Sequence, residues 1–200
     1  MAKVGMRYPV AVPWKSGNTY EGDGFVIGKA INFTGTPNTN DVKLYADDEV
    51  AETDVSTRDL GTSMNVDDLE LEVRAKILGH TYTEAAEDGS TPEEMEIGDN
   101  DVAPYLGVGF YQRRRKNSIT SFVGIWLYKV QHKETTINAE TKGESINFQT
   151  ATIEGTAYPV TITDEKGNTR TALGKKAVFT TEVAAKAWLN GLANIAAEAS

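Results

Sequence analysis

The residues able to carry chemistry are few in kind. The 200-residue chain holds two histidines, His80 and His132, and no cysteine. Without thiols there is no disulfide framework, thiolate metal site, iron–sulfur cluster or cysteine nucleophile. The absence also fits a reducing compartment. The two histidines are far apart in sequence and form no metal-ligand motif or proton-shuttling pair. Carboxylates are plentiful, 29 in all. A carboxylate-based hydrolase needs only two of them, and with so many on offer the sequence nominates no pair. Asp99–Asn100–Asp101 hints at calcium, but the alternating oxygen ligands, central glycine and closing glutamate of a calcium loop are missing. Gly22-x-Gly24-x-x-x-Gly28 has its third glycine one position late for a dinucleotide fingerprint and leads into a strand. Gly174–Lys175–Lys176 lacks the hydroxyl that would hold magnesium. No G-x-S-x-G pentapeptide is present. Asn32–Phe33–Thr34 matches a glycosylation acceptor, but Met1 to Arg7 hold no apolar stretch of a secretory signal. The expectation is a protein without catalytic residues, cofactor or metal.

Charge narrows the partners. The formal charge is −9, from 20 basic and 29 acidic residues. A protein that grips DNA by its phosphates needs a basic face, and the chain as a whole is not of that kind. Arg113–Arg114–Arg115–Lys116 is the one basic cluster. At a hairpin end such charge blocks edge-to-edge aggregation, and an acidic partner surface suits it better than nucleic acid. Residues 84–101 carry eight acidic side chains and no basic one. The longest strongly apolar run, 122–128, is far short of the roughly 20 residues of a membrane span. The expectation is a soluble protein without membrane insertion.

The elements that would position these residues are mostly strands. Short runs rich in Val, Ile, Phe, Tyr and Thr alternate with Gly, Asn, Asp and Pro clusters. Strands are predicted near 8–14, 24–34, 40–46, 58–65, 105–115, 119–131, 144–154 and 157–163. A turn at Lys116–Asn117–Ser118 makes 105–131 one long antiparallel hairpin. A helix is predicted over 67–78, with Asn65 or Asp67 as N-cap, a stripe of Val66, Leu69, Val73 and Ile77, and Gly79 as its left-handed stop. A second is predicted over 181–196, capped by Thr180 or Thr181 and buried through Ala184, Trp188, Leu192 and Ile195. Residues 35–58 and 84–101 read as irregular, either solvated loops or arms that order on contact. No repeat or domain linker is visible, so 1–200 reads as one domain.

The strand 119–131 is apolar on both sides. Phe122, Gly124, Trp126, Tyr128 and Val130 share one face; Val123, Ile125 and Leu127 share the other. Its partner puts Leu106, Val108 and Phe110 on one face and Tyr105, Gly107, Gly109 and Tyr111 on the other. Glycines inside a strand signal close backbone approach. A surface strand alternates apolar with polar, so either a helix, for which 67–78 is a candidate, or a neighbouring subunit covers the second face.

Several stretches together resemble the major tail tube proteins of long-tailed, siphovirus-type bacteriophages and prophages. They are Lys3–Val4–Gly5–Met6–Arg7–Tyr8–Pro9–Val10, Asp41–Val42–Lys43–Leu44–Tyr45–Ala46–Asp47–Asp48, and Asp67–Asp68–Leu69 through Leu78–Gly79–His80. Then come the run from Ala103 to Tyr111, Ile125–Trp126–Leu127–Tyr128–Lys129–Val130, the run from Lys142 to Thr150, and Ala187–Trp188–Leu189–Asn190. They follow the family's order over nearly the whole chain, leaving 84–101 and 191–200 unmatched. The resemblance implies a mainly β fold: an antiparallel β-sandwich flanked by an α-helix, with extended arms and a C-terminal helix. It implies six copies closing into a ring, and rings stacking into a tube that conducts viral DNA into the host. An N-terminal arm, about 1–17, and a long loop, about 35–58, would bridge subunits. The partners implied are the chain itself, a tape-measure protein, tail terminator and baseplate or distal tail proteins, and DNA in non-specific passage. The place implied is the virion tail, after assembly in the bacterial cytoplasm. Interface candidates on this reading are Tyr8, Trp14, Leu44, Tyr45, Asp47, Asp48, Arg113, Arg114, Arg115, Trp126 and Tyr128. Acidic excess suits a conduit, because DNA carries about one negative charge per 1.7 Å of its axis and a basic wall would hold it. Competing readings are a β-sandwich binding module with acidic recognition loops, a carboxylate hydrolase, and the inner tube of a contractile tail or secretion system.

Overall fold

The computed structural model describes residues 2–46, 49–134, 150–163 and 166–196, with backbone alone for 2–4, 41–46 and 49–55. Strands dominate: β1 (Ala2–Ser16), β2 (Thr19–Tyr20), β3 (Phe25–Val26), β4 (Ala30–Ala46), β5 (Glu49–Val66), β6 (Thr81–Thr83), β7 (Glu94–Glu96), β8 (Tyr105–Lys116), β9 (Ile119–Lys133), β10 (Ala151–Ala157), β11 (Val160–Thr163), β12 (Thr169–Ala172) and β13 (Gly174–Phe179). Two helices complete the described residues, α1 (Leu71–Leu78) and α2 (Glu182–Ala193). The main sheet runs β2-β1-β8-β9-β10-β5-β4, with β3 added to β1 and β13 to β9. Its strand pairs are antiparallel. The fold is therefore mainly β, as expected.

The predicted hairpin is present. β8 and β9 turn at Asn117 and Ser118, with φ of 48° and 63°. Two consecutive positive φ values are the signature of a turn whose twist matches the strands it joins. β8 lies along one edge of β9. The other edge is shared, by β13 against residues 122–127 and by β10 against 130–133. The changeover coincides with a register shift, where Leu106 faces Val130 but Val108 faces Leu127.

That shift corrects one expected face. Val130 joins Leu127 in the first core rather than Trp126 and Tyr128 in the second. An extra residue in one strand flips every side chain beyond it. The first core lies inside the curl of the sheet, where Leu106, Val108 and Phe110 meet Met64, Val66, Ile153 and the α1 residues Val73 and Ile77. Residues 25–30 draw the far strands toward β1. Ile27 N–H donates to Pro9 O, and Asp67 N–H donates to Lys29 O. Phe33 on β4 then reaches Phe110 on β8, ring centroids 4.7 Å apart. Opposing parts of one curled sheet thus face each other across the core.

The second core lies on the outer face of β1, β8 and β9, and α2 covers it. A helix does cover this face, but it is not the candidate 67–78, which packs on the first core. Thr181 caps α2 by accepting from Ala184 N–H. Its fully buried residues are Ala185, Leu189 and Ala193, one position round from the predicted stripe. Ala184 is exposed, and Trp188, Leu192 and Ile195 flank the seam. The glycines of β8 and β9 explain the seating. A Cβ at Gly107 or Gly109 would overlap the Trp126 ring, and one at Gly124 would lie 2.7 Å from Trp188 Cζ3. Without those glycines the indoles could not lie flat on the sheet.

α1 starts later than predicted, at Leu71 rather than 67, and has no side-chain cap. Its expected first turn is committed elsewhere. Asp67 Oδ1 accepts from Lys29 N–H, and Asp68 Oδ1 accepts from Leu69 N–H. Asn65 belongs to β5. Gly79, at φ 80°, ends the helix as expected and donates to Ala75 O. The largest departure is at 35–58. It is not an irregular loop: β4 and β5 pair from Ala30 with Val66 to Ala46 with Glu49. β6 and β7 form a small hairpin around the acidic stretch, and β12 and β13 were not foreseen. The first six residues of the strand predicted over 144–154 lie outside the described residues.

Candidate functional site

β5 pairs with β10 only over its last seven residues, Leu60 to Val66. Beyond that point, among the described residues, β4 and β5 continue together as a two-stranded ribbon to Ala46 and Glu49. Eleven residues at about 3.3 Å each carry it roughly 36 Å past the sheet. Leu44 and Tyr45 sit near its end, opposite Glu52 and Val50. Asp47 and Asp48 lie outside the described residues. At the ribbon's base Asn38 Nδ2 donates to Asp59 Oδ1 at 2.5 Å, and Arg58 Nε donates to Asp59 Oδ2 at 2.7 Å. These two bonds hold the Asp59 carboxyl below its ordinary range.

Arg113, Arg114 and Arg115 stand together at the end of β8, opposite Val4, Lys3 and Ala2 of β1. Residues 2–16 form a strand of the sheet paired with β8. Arg113 and Arg115 are exposed, and Arg114 Nε donates to Ser121 Oγ. Tyr8 has a backbone φ of 55°, unusual for an aromatic residue. Its hydroxyl donates to Asn190 Oδ1 of α2 at 2.9 Å. Nearby, Glu182 accepts from Tyr111 Oη and Arg7 Nη1. Burial, then the Glu182 charge, pushes Tyr111 up to about 12.

Trp126 and Tyr128 are inside the chain, 0% and 3% exposed. Trp126 Nε1 donates to Tyr20 Oη at 2.6 Å, and Tyr20 Oη donates to Tyr128 O. Both side chains pack in the chain's own second core. Trp14 is half-buried at the edge of the same core, its Nε1 donating to Gly17 O. Lys129 Nζ lies between the Trp14 and Tyr105 rings, 4.3 and 4.0 Å from their centroids. Tyr20, Tyr105 and Lys129 were missed as a group because they come from three distant parts of the chain.

The sequence also missed a partly buried polar array at the end of α1. The two ring nitrogens of His80 lie 2.7 Å from Asp101 Oδ2 and 3.0 Å from Glu134 Oε2. Both neighbours are carboxylates, and only imidazolium has two N–H groups to satisfy them. Glu134 also pairs with Arg74, and Asp101 accepts from Gly98 N–H. Burial alone would discharge His80, but the two carboxylates outweigh it and raise its pKa. The stabilisation is therefore complete below the unfolded value near 6.5 and is lost as pH rises through the higher folded value. The protection of amides 98–101, the ratio of intrinsic to measured exchange rate at each pH, should fall above neutral pH, and His80→Gln should abolish that fall. Equal pH profiles for the two proteins would refute the assignment.

A cleft of about 700 Å³ opens between β1, residues 26–30 and the start of α1, lined by Met6, Tyr8, Ile27, Asp68 and Val73 among others. Among the described residues no three His, Asp or Glu side chains cluster to hold a metal ion. No helix among them is long and apolar enough to cross a membrane. The array around His80 can hold a proton and an acidic segment in place, and the ribbon and basic tip offer surfaces. Neither a protein-family model nor a curated protein matches the chain.

Proposed function

We propose that this chain is a structural subunit that assembles with itself into stacked hexameric rings, the tail tube of a long-tailed bacteriophage or prophage. In this role it surrounds a tape-measure protein during assembly, meets terminator and distal tail proteins at the tube's ends, and conducts viral DNA into the host. The observation that carries the reading is the β4–β5 ribbon. A two-stranded hairpin is marginal in water without a third strand or a packed face. This one runs about 36 Å beyond its last sheet contact among the described residues, joined to the sheet through residues 60–66 of β5. Such an element is expected where a neighbouring copy completes it. Its position matches the bridging loop implied by the resemblance, and the tube-type sequence stretches lie in order on either side of it.

Electron microscopy over a concentration series tests the reading. Full-length protein should give rings or hollow tubes with sixfold end views. Replacing residues 40–56 by Asn-Gly should leave a folded monomer, because the β5–β10 pairing starts at Leu60, and should abolish rings and tubes. Normal tubes from the shortened protein would remove the ribbon's role. Assembly that stops at a dimer would favour a β-sheet binding module instead.

A further inference from the structure

A basic and an acidic region of this chain lie at opposite ends of one hairpin. The basic tip, Arg113, Arg115 and Lys116, flanks the turn between β8 and β9. The acidic segment enters β8 from its other end, four residues before Tyr105 at Asp101. His80 fixes it there, bonding Asp101 on one side and Glu134, one residue past the end of β9, on the other. The twelve residues of β8 at about 3.3 Å each separate the two ends by roughly 40 Å. Each end also exposes aliphatic side chains beside its charges. Ile119 is 70% exposed at the basic tip; Ile97 and Val102 are 52% and 74% exposed at the acidic end. Apolar contact inside a charged rim is the usual composition of a protein–protein interface.

We infer that the basic tip of one copy docks on the acidic end, residues 94–102, of a second copy. Charge selects this pairing. Each copy carries −9 overall, so unoriented encounters are repulsive. Tip against tip and acid against acid place like charges together, which costs affinity and suppresses wrong geometries. Tip against acidic end is the orientation that brings opposite charge together and puts Ile119 near Ile97 and Val102. Because the two surfaces differ, the contact is heterologous and repeats from copy to copy. It rests on the tube reading for its context and supplies that reading with a polarity: rings add head to tail, with the 117–118 turn leading.

Two charge-reversed proteins test the contact. One carries Arg113→Glu, Arg115→Glu and Lys116→Glu; the other carries Glu94→Lys, Glu96→Lys and Asp99→Lys. These positions are exposed, and circular dichroism and thermal melting establish that both variants fold. Sedimentation velocity at low salt should show association of each variant alone weakened at least tenfold against the unmodified chain. An equimolar mixture should regain it, because each variant's reversed end now faces its complement. Raising salt should weaken both the unmodified chain and the mixture. A mixture no better associated than its components overturns the contact, whatever the unmodified chain does. So does binding of a duplex DNA oligonucleotide by the tip without rescue in the mixture. Rescue that stops at a finite oligomer in the full-length chain would keep the contact and remove the tube reading.

Discussion

Trp126→Ala should destabilise the fold by about 3–5 kcal/mol, the range for emptying a large buried aromatic site. The side chain is 0% exposed. Its ring is edge-on to Tyr20 at 5.4 Å and 80°, and its Nε1 is the donor to Tyr20 Oη. The cavity has little means of collapsing. Its floor is the β8 backbone at Gly107 and Gly109, which have no side chain to move inward, and its roof is Leu189 of α2. Truncation therefore leaves a void and removes a hydrogen bond from a buried phenol. Trp126→Phe keeps much of the volume and should lose only about 1–2 kcal/mol, part of it the hydrogen bond. Denaturant titration measures both. An alanine variant within 1 kcal/mol of the parent would show that α2 collapses onto the sheet, contrary to the packing described.

The second large effect is acid lability through His132. Its Nδ1–H donates to Glu154 O at 3.4 Å, and its Nε2 has no partner among the described residues. A proton on Nε2 would be a cationic donor inside an apolar core. Burial, only slightly offset by the Glu154 carbonyl, accordingly lowers the pKa to about 4. The unfolded chain binds this proton near pH 6.5 and the folded one near 4, so stability falls as pH drops through that window and levels below it. The span corresponds to a loss on the order of 3 kcal/mol. His132→Leu should flatten stability between pH 6.5 and 4 while leaving it within about 1 kcal/mol at pH 7, since the ring's single long hydrogen bond contributes little. A leucine variant with the parent's acid profile would rule this out. The two histidines thus act oppositely. His80 supports the fold as a cation and weakens it above neutrality; His132 supports it as a neutral ring and weakens it below.

The legible parts of this protein are those governed by neighbours in sequence. The β8–β9 hairpin followed from two alternating runs and a turn. The N-cap at Thr181 and the stop at Gly79 followed from residue type. Gly107 and Gly109 announced close backbone approach, and the two-faced apolar strand announced a cover. The identity of that cover was not legible, because α2 lies more than fifty residues further along the chain. The β4–β5 ribbon was hidden by its Asn, Asp and Pro content, which reads as turn chemistry although the strands pair throughout. β13 was hidden by Gly174–Lys175–Lys176, where lysine stems cover apolar surface; Lys175 Nζ lies over the Trp188 ring.

Composition and local pattern, then, determined a mainly β chain with its central hairpin, its two helices and a segregated distribution of charge. Periodicity and turn chemistry act over a few residues, so they survive in the sequence itself. Tertiary structure decided which aromatic residues are core and which are surface, moving Trp126 and Tyr128 inside. It turned a supposed loop into a projecting ribbon, and gave two chemically identical imidazoles opposite preferences for the proton. These outcomes depend on long-range neighbours: an imidazole's preferred charge is set by the groups that surround it and by the water it loses.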